Sequence, residues 1–159
     1  KSTDNSGYEY GNYYLKSVAP YIPEDPLIIE EIKEISPNFV KVYTQSHIAE
    51  KYGLDQICGV GYRKALEYLI KDYLTHIHLD KEKEILEKYL GNCIKDYIDD
   101  IKVKECAKRA TWLGNDETHY LRKWIDKDIE DLKILLELTS GWIKSNVLTK
   151  KYMDDMKEK

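Results

Sequence analysis

The sequence is poor in the residues that build disulfide-stapled, metal-bound or membrane-embedded proteins. It has 3 cysteines and 1 phenylalanine among 159 residues, and it contains no run of about 18 apolar residues. The cysteines are far apart and form no C-x-x-C pair: Cys58, Cys93 and Cys106. Such an odd, sparse set indicates reduced thiols and therefore a cytoplasmic protein. The missing apolar run argues against a membrane span or a secretory signal in this sequence.

Recognisable catalytic and cofactor motifs are also scarce. There is no nucleophile elbow, P-loop, zinc quartet or acidic metal cluster, so the sequence points to no cofactor and no metal. Gly59 and Gly61 form a G-x-G, but the further glycine and the preceding strand of a dinucleotide-binding fingerprint are missing. The two small residues instead favour a place where another helix crosses closely. His76, His78 and Asp80 form H-x-H-x-D at a predicted helix end, where the geometry suits a solvated terminus better than a metal ion.

The charge balance and the length set broad limits. Lys+Arg number 25 against 29 Asp+Glu, for a net charge of -4, so the chain as a whole does not call for a polyanionic partner. A local basic face remains compatible with RNA. A length of 159 residues suits one domain with its own core. Because the chain begins at Lys1 rather than with methionine, the sequence leaves open whether it is part of a longer protein.

Residues 1–35 differ in composition from the rest of the chain. Five tyrosines alternate with glycines and prolines, and prolines at this density prevent a long helix. We expect an extended arm packed on the body of the protein, with one short strand near Tyr13 to Val18. A short helix is expected near Leu27 to Ile35, with Asp25 as its cap and Pro26 at its first position.

Helical periodicity in the remaining chain predicts an all-α bundle of about five to six helices over residues 36–148. The first helix starts at Ser36-Pro37, runs to Tyr52 and stops at Gly53. The next is expected from Leu54 to Ile77. Its apolar residues cover about half of its circumference and mark it as the core helix: Tyr62, Ala65, Leu66, Leu69, Ile70, Tyr73, Leu74 and Ile77.

Two short helices follow the core helix in this interpretation. We expect helix from Lys81 to Leu90, a break or a kink at Gly91-Asn92, and a continuation from Cys93 to Ile98. Cys93 and Cys106 both fall on apolar faces, so their thiols are predicted to be buried and unreactive.

The last third of the chain predicts two more helices. Asp99-Asp100 caps one that ends at Gly114. The last is expected from Tyr120 to Val147, and a charged tail over residues 149–159 is expected to fray. Three residues are good N-caps for the last helix: Asn115, Asp116 and Thr118.

Two stretches concentrate the polar residues on which chemistry depends. One reads R-A-T-W-L-G-N-D-E-T-H-Y from Arg109 to Tyr120, and the other is the core helix. Arg63 falls inside the apolar arc of that helix, where a buried charge is costly unless it is paired. Glu67, one turn on, is the nearest candidate partner. Because residues 114–119 are rich in acceptors, we predict that Arg63 approaches Asn115, Asp116 or His119.

The candidate catalytic residues are Arg63, Arg109, Asn115, Asp116 and His119. Arginine and histidine together can cleave RNA without a metal, because histidine moves the proton of the 2′-hydroxyl or leaving group and arginine stabilises the charge of the pentavalent phosphate. The alternative is structural. In that case Asn115 and Asp116 cap a helix, His119 hydrogen-bonds across the bundle, and Arg63 pairs with Glu67.

Several motifs, in order, resemble a known family. They are I-S-P at residues 35–37, G-V-G-Y-R-K-A-L-E-Y-L-I-K-D-Y at 59–73 and W-L-G-N-D-E-T-H-Y at 112–120. Over about residues 35–145 the chain is similar to the prokaryotic domain-of-unknown-function family forty-one forty-five. That family resembles the HEPN class of helical bundles. Its members occur alone, beside cysteine-rich segments, or fused to restriction and other phage-defence proteins.

Many HEPN proteins are metal-independent ribonucleases that act as dimers. Their motif has an arginine, then a polar residue, then four to six residues before a histidine. Asn115 and His119 match the later part of this motif. Nine residues separate Arg109 from His119, however, and Gly114 stands where an arginine is wanted.

HEPN-like domains without the motif serve as interaction or dimerisation modules. The resemblance therefore implies a homodimer that acts as a non-catalytic or regulatory module of a prokaryotic phage-defence or restriction-associated system, with a protein partner in that system. The alternative is a metal-independent HEPN-type endoribonuclease that acts on RNA through arginine and histidine.

Overall fold

The computed structural model describes residues 2–3, 9–10 and 30–156. In these residues the protein is built of seven α-helices. Two strands of two residues each, Ser2–Thr3 and Glu9–Tyr10, pair antiparallel. The expected all-α class is confirmed for the described body. The expected strand near Tyr13 to Val18 and the expected cap of the first helix lie outside the described residues.

The first two helices begin and end close to where the sequence predicts. Helix α1 spans Glu30–Ile35 and α2 spans Pro37–Lys51. The Ser36 hydroxyl caps α2 by accepting a hydrogen bond from the backbone N–H of Phe39 at 3.4 Å. Gly53 follows α2 with a φ of 70°, a left-handed conformation that glycine adopts without strain.

Helix α3, Asp55–Ile77, is the central element of the bundle, as predicted. It packs against α2, α4, α5, α6 and α7. Seven of the eight predicted apolar positions are buried: Tyr62, Ala65, Leu66, Leu69, Ile70, Tyr73 and Leu74. The eighth, Ile77, is partly buried against the same core.

The chain breaks between the next two helices at a different position from the predicted one. A 3-10 turn over Leu79–Lys81 leads into α4, Glu82–Glu87, and α5 spans Leu90–Tyr97. The chain is extended at Lys88 and Tyr89, whereas the predicted break at Gly91-Asn92 is helical. In one continuous helix Ile85 and Leu90 would point about 140° apart. The extended step lets both side chains enter the core, where they are 0% and 3% exposed.

Helix α6, Ile101–Asp116, starts as predicted and ends later than predicted. The Asp100 side chain caps it by accepting from the N–H groups of Lys102 and Val103. The prediction that Gly114 ends the helix is wrong, since Gly114 is helical and buried. This glycine is needed for packing rather than for termination.

Helix α7, Ile129–Asp155, begins nine residues after the predicted start at Tyr120 and continues beyond the predicted end at Val147. Asp128 is its N-cap and forms a capping box with Asp131. The predicted cap role of Asn115, Asp116 and Thr118 is therefore wrong. Residues 117–128 form an irregular connection, and residues 149–155, expected to fray, are helical.

An apolar pattern accounts for the wrong predicted start of this helix. The connection contains three apolar residues at helical spacing, but none of them is buried in the core: Leu121, Trp124 and Ile125. No helix among the described residues is long and apolar enough to cross a membrane.

Candidate functional site

Arg63 meets the end of α6, as the sequence predicts. Its Nε donates a hydrogen bond to Oδ1 of Asn115 at 2.9 Å, and one terminal nitrogen lies 3.4 Å from a carboxylate oxygen of Glu67. The Arg63 side chain is 17% exposed. Both partners expected from the sequence, Glu67 and the segment after Gly114, therefore hold the same guanidinium. A buried stem and two acceptors are what a charge on an apolar helix face requires.

Close approach of α3 and α6 depends on a glycine on each helix. A Cβ on Gly114 would lie 2.6 Å from Cδ and 2.7 Å from Cβ of Arg63. A Cβ on Gly59 would lie 2.5 Å from Cγ of Glu117. Real Cβ atoms do not approach other atoms this closely, so any larger residue would push the helices apart. The close-crossing interpretation of Gly59 is confirmed. The same holds for Gly61, whose position lies against Ser46 of α2.

Asp116 organises the connection between α6 and α7. Its side chain is buried, and Oδ2 accepts hydrogen bonds from the backbone N–H groups of Lys123 and Trp124, each at 2.7 Å. Arg122 closes the loop from the other side, donating to the carbonyl of Lys127 at 2.8 Å and pairing with Glu117 at 2.9 Å. Asp116 thus stabilises an irregular backbone and is not positioned as a helix N-cap.

This loop carries Trp124 onto Trp112 of α6. The two ring planes lie 5° apart, with centroids separated by 6.0 Å. The rings form one wall of a groove of about 290 Å³ between α6 and α7, whose floor includes Leu113 and Leu135. Arg109, Lys127 and Asp131 also line it, so the groove is mainly apolar and aromatic with charges of both signs.

The structure does not assemble the five predicted catalytic residues into one arrangement. Arg63 and Asn115 are in contact, but Arg109 lies in the middle of α6 and not in its last turn. Arg109 pairs with Glu105 one turn earlier, and its guanidinium lies 6.0 Å from the Trp112 ring centre. His119 is exposed on the connection, and its backbone N–H donates to the carbonyl of Asp116 at 3.2 Å.

A second polar cluster, which the sequence interpretation missed, joins α2, α3 and α7. The Tyr62 hydroxyl donates to one carboxylate oxygen of Glu50 at 2.5 Å, and the Lys133 ammonium donates to the other at 2.9 Å. Burial alone raises the pKa of Glu50, but the hydrogen bonds from Tyr62 and Lys133 outweigh burial and lower it. Burial and the hydrogen bond to Glu50 raise the pKa of Tyr62 far above its ordinary value. This cluster therefore links side chains of α2, α3 and α7.

The cysteines and the H-x-H-x-D motif at residues 76–80 belong to no metal-binding group among the described residues. Cys58 and Cys93 are buried, and burial raises the pKa of both thiols. The predicted burial of Cys93 is confirmed, whereas Cys106 is only half-buried. The His78 ring packs on Tyr97 with centroids 5.5 Å apart. Among the described residues, no group of three or more histidine, cysteine, aspartate or glutamate side chains is arranged to hold a metal ion.

No protein-family model, curated protein or solved structure matches this chain.

Proposed function

We propose that this protein is a non-catalytic interaction and dimerisation module, HEPN-like in architecture, of a prokaryotic nucleic-acid-related system such as phage defence or restriction. The observation that carries this proposal is the set of contacts that Arg63 makes within the protein. Its guanidinium is held by Asn115 and Glu67, and its stem lies on Gly114. An arginine that stabilises a phosphate presents its donors to the substrate, whereas the Nε of Arg63 and one of its terminal nitrogens already bind acceptors within the protein.

The other candidate residues support the same conclusion. Arg109 is engaged by Glu105 and Trp112, and Asp116 is buried and satisfied by two backbone N–H groups. Metal-independent RNA cleavage requires a proton-transferring histidine and a charge-stabilising arginine at one phosphate. His119 is exposed on the connection, while the Arg63 side chain is mostly buried.

Exposed apolar side chains support an interaction role. The connection and the adjoining helices display large apolar residues at the surface, several of them more than half exposed. Contiguous exposed apolar patches mark interaction sites, and Trp112, Trp124 and Ile134 line one groove. The exposed apolar residues are Trp112, Tyr120, Leu121, Trp124, Ile125, Ile134 and Leu138.

The second candidate function is metal-independent endoribonuclease activity with His119 and either Arg63 or Arg109. One contact favours it: Arg63 binds Asn115, and His119 follows four residues later, on the connection after α6. In the described arrangement the arginine remains bound to its protein partners.

An RNA cleavage assay with EDTA present separates the two candidates. The test compares wild type with His119→Ala, and His78→Ala serves as the control because His78 packs on Tyr97 away from the connection. The interaction module predicts that none of the three proteins cleaves RNA above the buffer background. Cleavage by wild type and His78→Ala that is lost in His119→Ala would overturn the proposal in favour of the ribonuclease.

A further inference from the structure

The outward face of α7 carries a regular pattern that the bundle itself does not use. Its residues are spaced alternately by four and three, which is the spacing of a coiled-coil seam. We call this face the α7 seam: Ile134, Leu138, Gly141, Ser145, Leu148 and Tyr152.

The α7 seam points away from the core. The opposite face of α7 supplies the buried residues Leu132, Leu136, Thr139 and Ile143. On the seam, Ile134 and Leu138 are each 54% exposed and Tyr152 is 61% exposed. A shallow hollow lined by Ser145, Leu148, Thr149, Tyr152, Met153 and Met156 follows its C-terminal half. One helix therefore has two apolar faces, and the bundle covers only one of them.

Side-chain size along the seam suits a second copy running in the opposite direction. The first half presents the large residues Ile134 and Leu138, and the middle presents the small residues Gly141 and Ser145. A Cβ on Gly141 would meet nothing within 4 Å inside the protein, so its own fold does not explain this glycine. In an antiparallel pair Leu138 fits over Gly141 of the second copy and Ile134 over Ser145 of the second copy, with large facing small in both layers.

The charged residues beside the α7 seam independently favour the same antiparallel register. The positions that flank the seam, seven residues apart, are acidic in the first half and basic in the second: Glu130, Glu137, Lys144 and Lys151. An antiparallel pair in the register set by Leu138 and Gly141 places Glu137 beside Lys144 of the second copy and Glu130 beside Lys151. In a parallel pair these positions would instead face uncharged residues on the other flank of the second helix, so the four charges would have no partners.

The flanking charges are available for this contact. Among the described residues neither Glu137 nor Lys144 forms an ion pair within the chain. Glu130 pairs with Lys133 at 2.9 Å, but its side chain remains 62% exposed. Charge complementarity across a two-fold axis identifies the second occupant of the seam as another copy of this chain.

We propose that α7 pairs antiparallel with α7 of a second copy, about a two-fold axis near Ser140. Leu138 packs on Gly141, and Glu137 pairs with Lys144, twice each by symmetry. This inference rests on the proposed function as a dimerisation module and adds the surface and the register of the dimer.

Charge reversal tests the register by sedimentation equilibrium. Glu137→Lys places two lysines together at each flanking contact, and Lys144→Glu places two glutamates together. Each single change is expected to raise the dimer dissociation constant about tenfold or more. The double variant Glu137→Lys/Lys144→Glu restores opposite charges and should recover most of the wild-type association. Glu87→Lys and Lys64→Glu are controls, because both residues are exposed away from the seam.

A glycine pair tests the packing. Gly141→Leu overfills the layer against Leu138 of the second copy and should weaken the dimer about tenfold or more. Gly91→Leu is the matched control, since Gly91 is also helical and exposed, and a Cβ added to it would meet nothing within 4 Å. Circular dichroism of diluted protein should show both variants folded, because leucine favours helix over glycine.

The outcomes distinguish the inference from the proposed function. If wild type is dimeric and neither the charge reversals nor Gly141→Leu weakens it, the α7 seam is overturned while a dimerisation module stands. If reversal weakens the dimer and the double variant does not recover, the antiparallel register is overturned. A monomeric wild type overturns the seam and the dimer together. RNA cleavage that resists EDTA overturns the non-catalytic proposal and leaves the seam results unaffected.

Discussion

Arg63 and Gly114 lie so close that the arginine stem occupies the space of the side chain that Gly114 lacks. A Cβ on Gly114 would lie 2.6 Å from Cδ and 2.7 Å from Cβ of Arg63. The Cβ of an arginine is fixed by its own helix, so it cannot move away without moving α3. This contact sets the distance between α3 and α6 and directs the guanidinium to Asn115.

We expect Gly114→Ala to lower the free energy of unfolding by about 1–3 kcal/mol, because one added methyl group overpacks the α3–α6 crossing. Urea denaturation followed by circular dichroism measures this change. The control is Gly91→Ala, where a Cβ meets nothing within 4 Å and no destabilisation is expected. Equal stabilities for Gly114→Ala and wild type would contradict the close crossing.

Arg63→Ala should destabilise the protein by roughly 1–3 kcal/mol, because it removes stem packing, leaves Asn115 without its donor and leaves Glu67 paired with Lys71 alone. A double-mutant cycle with Asn115→Ala should give a coupling energy of about 1 kcal/mol. Lys64→Ala, at an exposed neighbouring position, should have little effect. Additive effects of the Arg63 and Asn115 changes would show that their hydrogen bond contributes nothing to stability.

Asp116→Ala should loosen the connection between α6 and α7. It removes the acceptor of two backbone N–H groups, at a cost of about 1–3 kcal/mol. Because Trp124 is one of the two donors, its ring should separate from Trp112, and tryptophan fluorescence should report greater exposure to solvent. Asp126→Ala, in an exposed part of the same connection, is the control. An unchanged emission spectrum in Asp116→Ala would refute this role.

Glu50 should make stability depend on acidic pH. Its hydrogen bonds from Tyr62 and Lys133 hold its pKa in the folded protein below the ordinary 4.5. A carboxylate with a lowered folded pKa stabilises the fold above its unfolded pKa, and this contribution is lost as pH falls through the folded value. Wild type should therefore lose stability below about pH 4.5 more steeply than Glu50→Gln. Parallel pH profiles of the melting temperature would contradict this assignment.

The parts of the fold that the sequence predicts well are those with local signals. Ser36-Pro37 and Asp100 are cap residues, and the apolar face of α3 has a period that only a buried helix explains. The position of Arg63 is predictable for another reason: a charge on that face requires an acceptor, and the acceptors follow Gly114. The structure places Arg63 on Asn115 as expected.

The errors arise where tertiary contacts outweigh local pattern. Leu121, Trp124 and Ile125 have helical spacing, yet the hydrogen bonds of Asp116 hold the chain irregular there. Gly114 lies inside α6, where it packs against Arg63. Interpreting this glycine as a stop signal therefore places the end of α6 too early and Arg109 too close to that end. The α7 seam has a signal in the spacing of Ile134 and Leu138, but only the structure shows that the bundle covers the opposite face of α7.

The mass of the wild-type protein in solution tests the central claim, a dimerisation module, most directly. Light scattering at about 100 µM should give about twice the chain mass of 18.8 kDa. The Glu137→Lys variant, measured at the same concentration, should shift toward the monomer. A wild-type mass of one chain at this concentration would contradict the account.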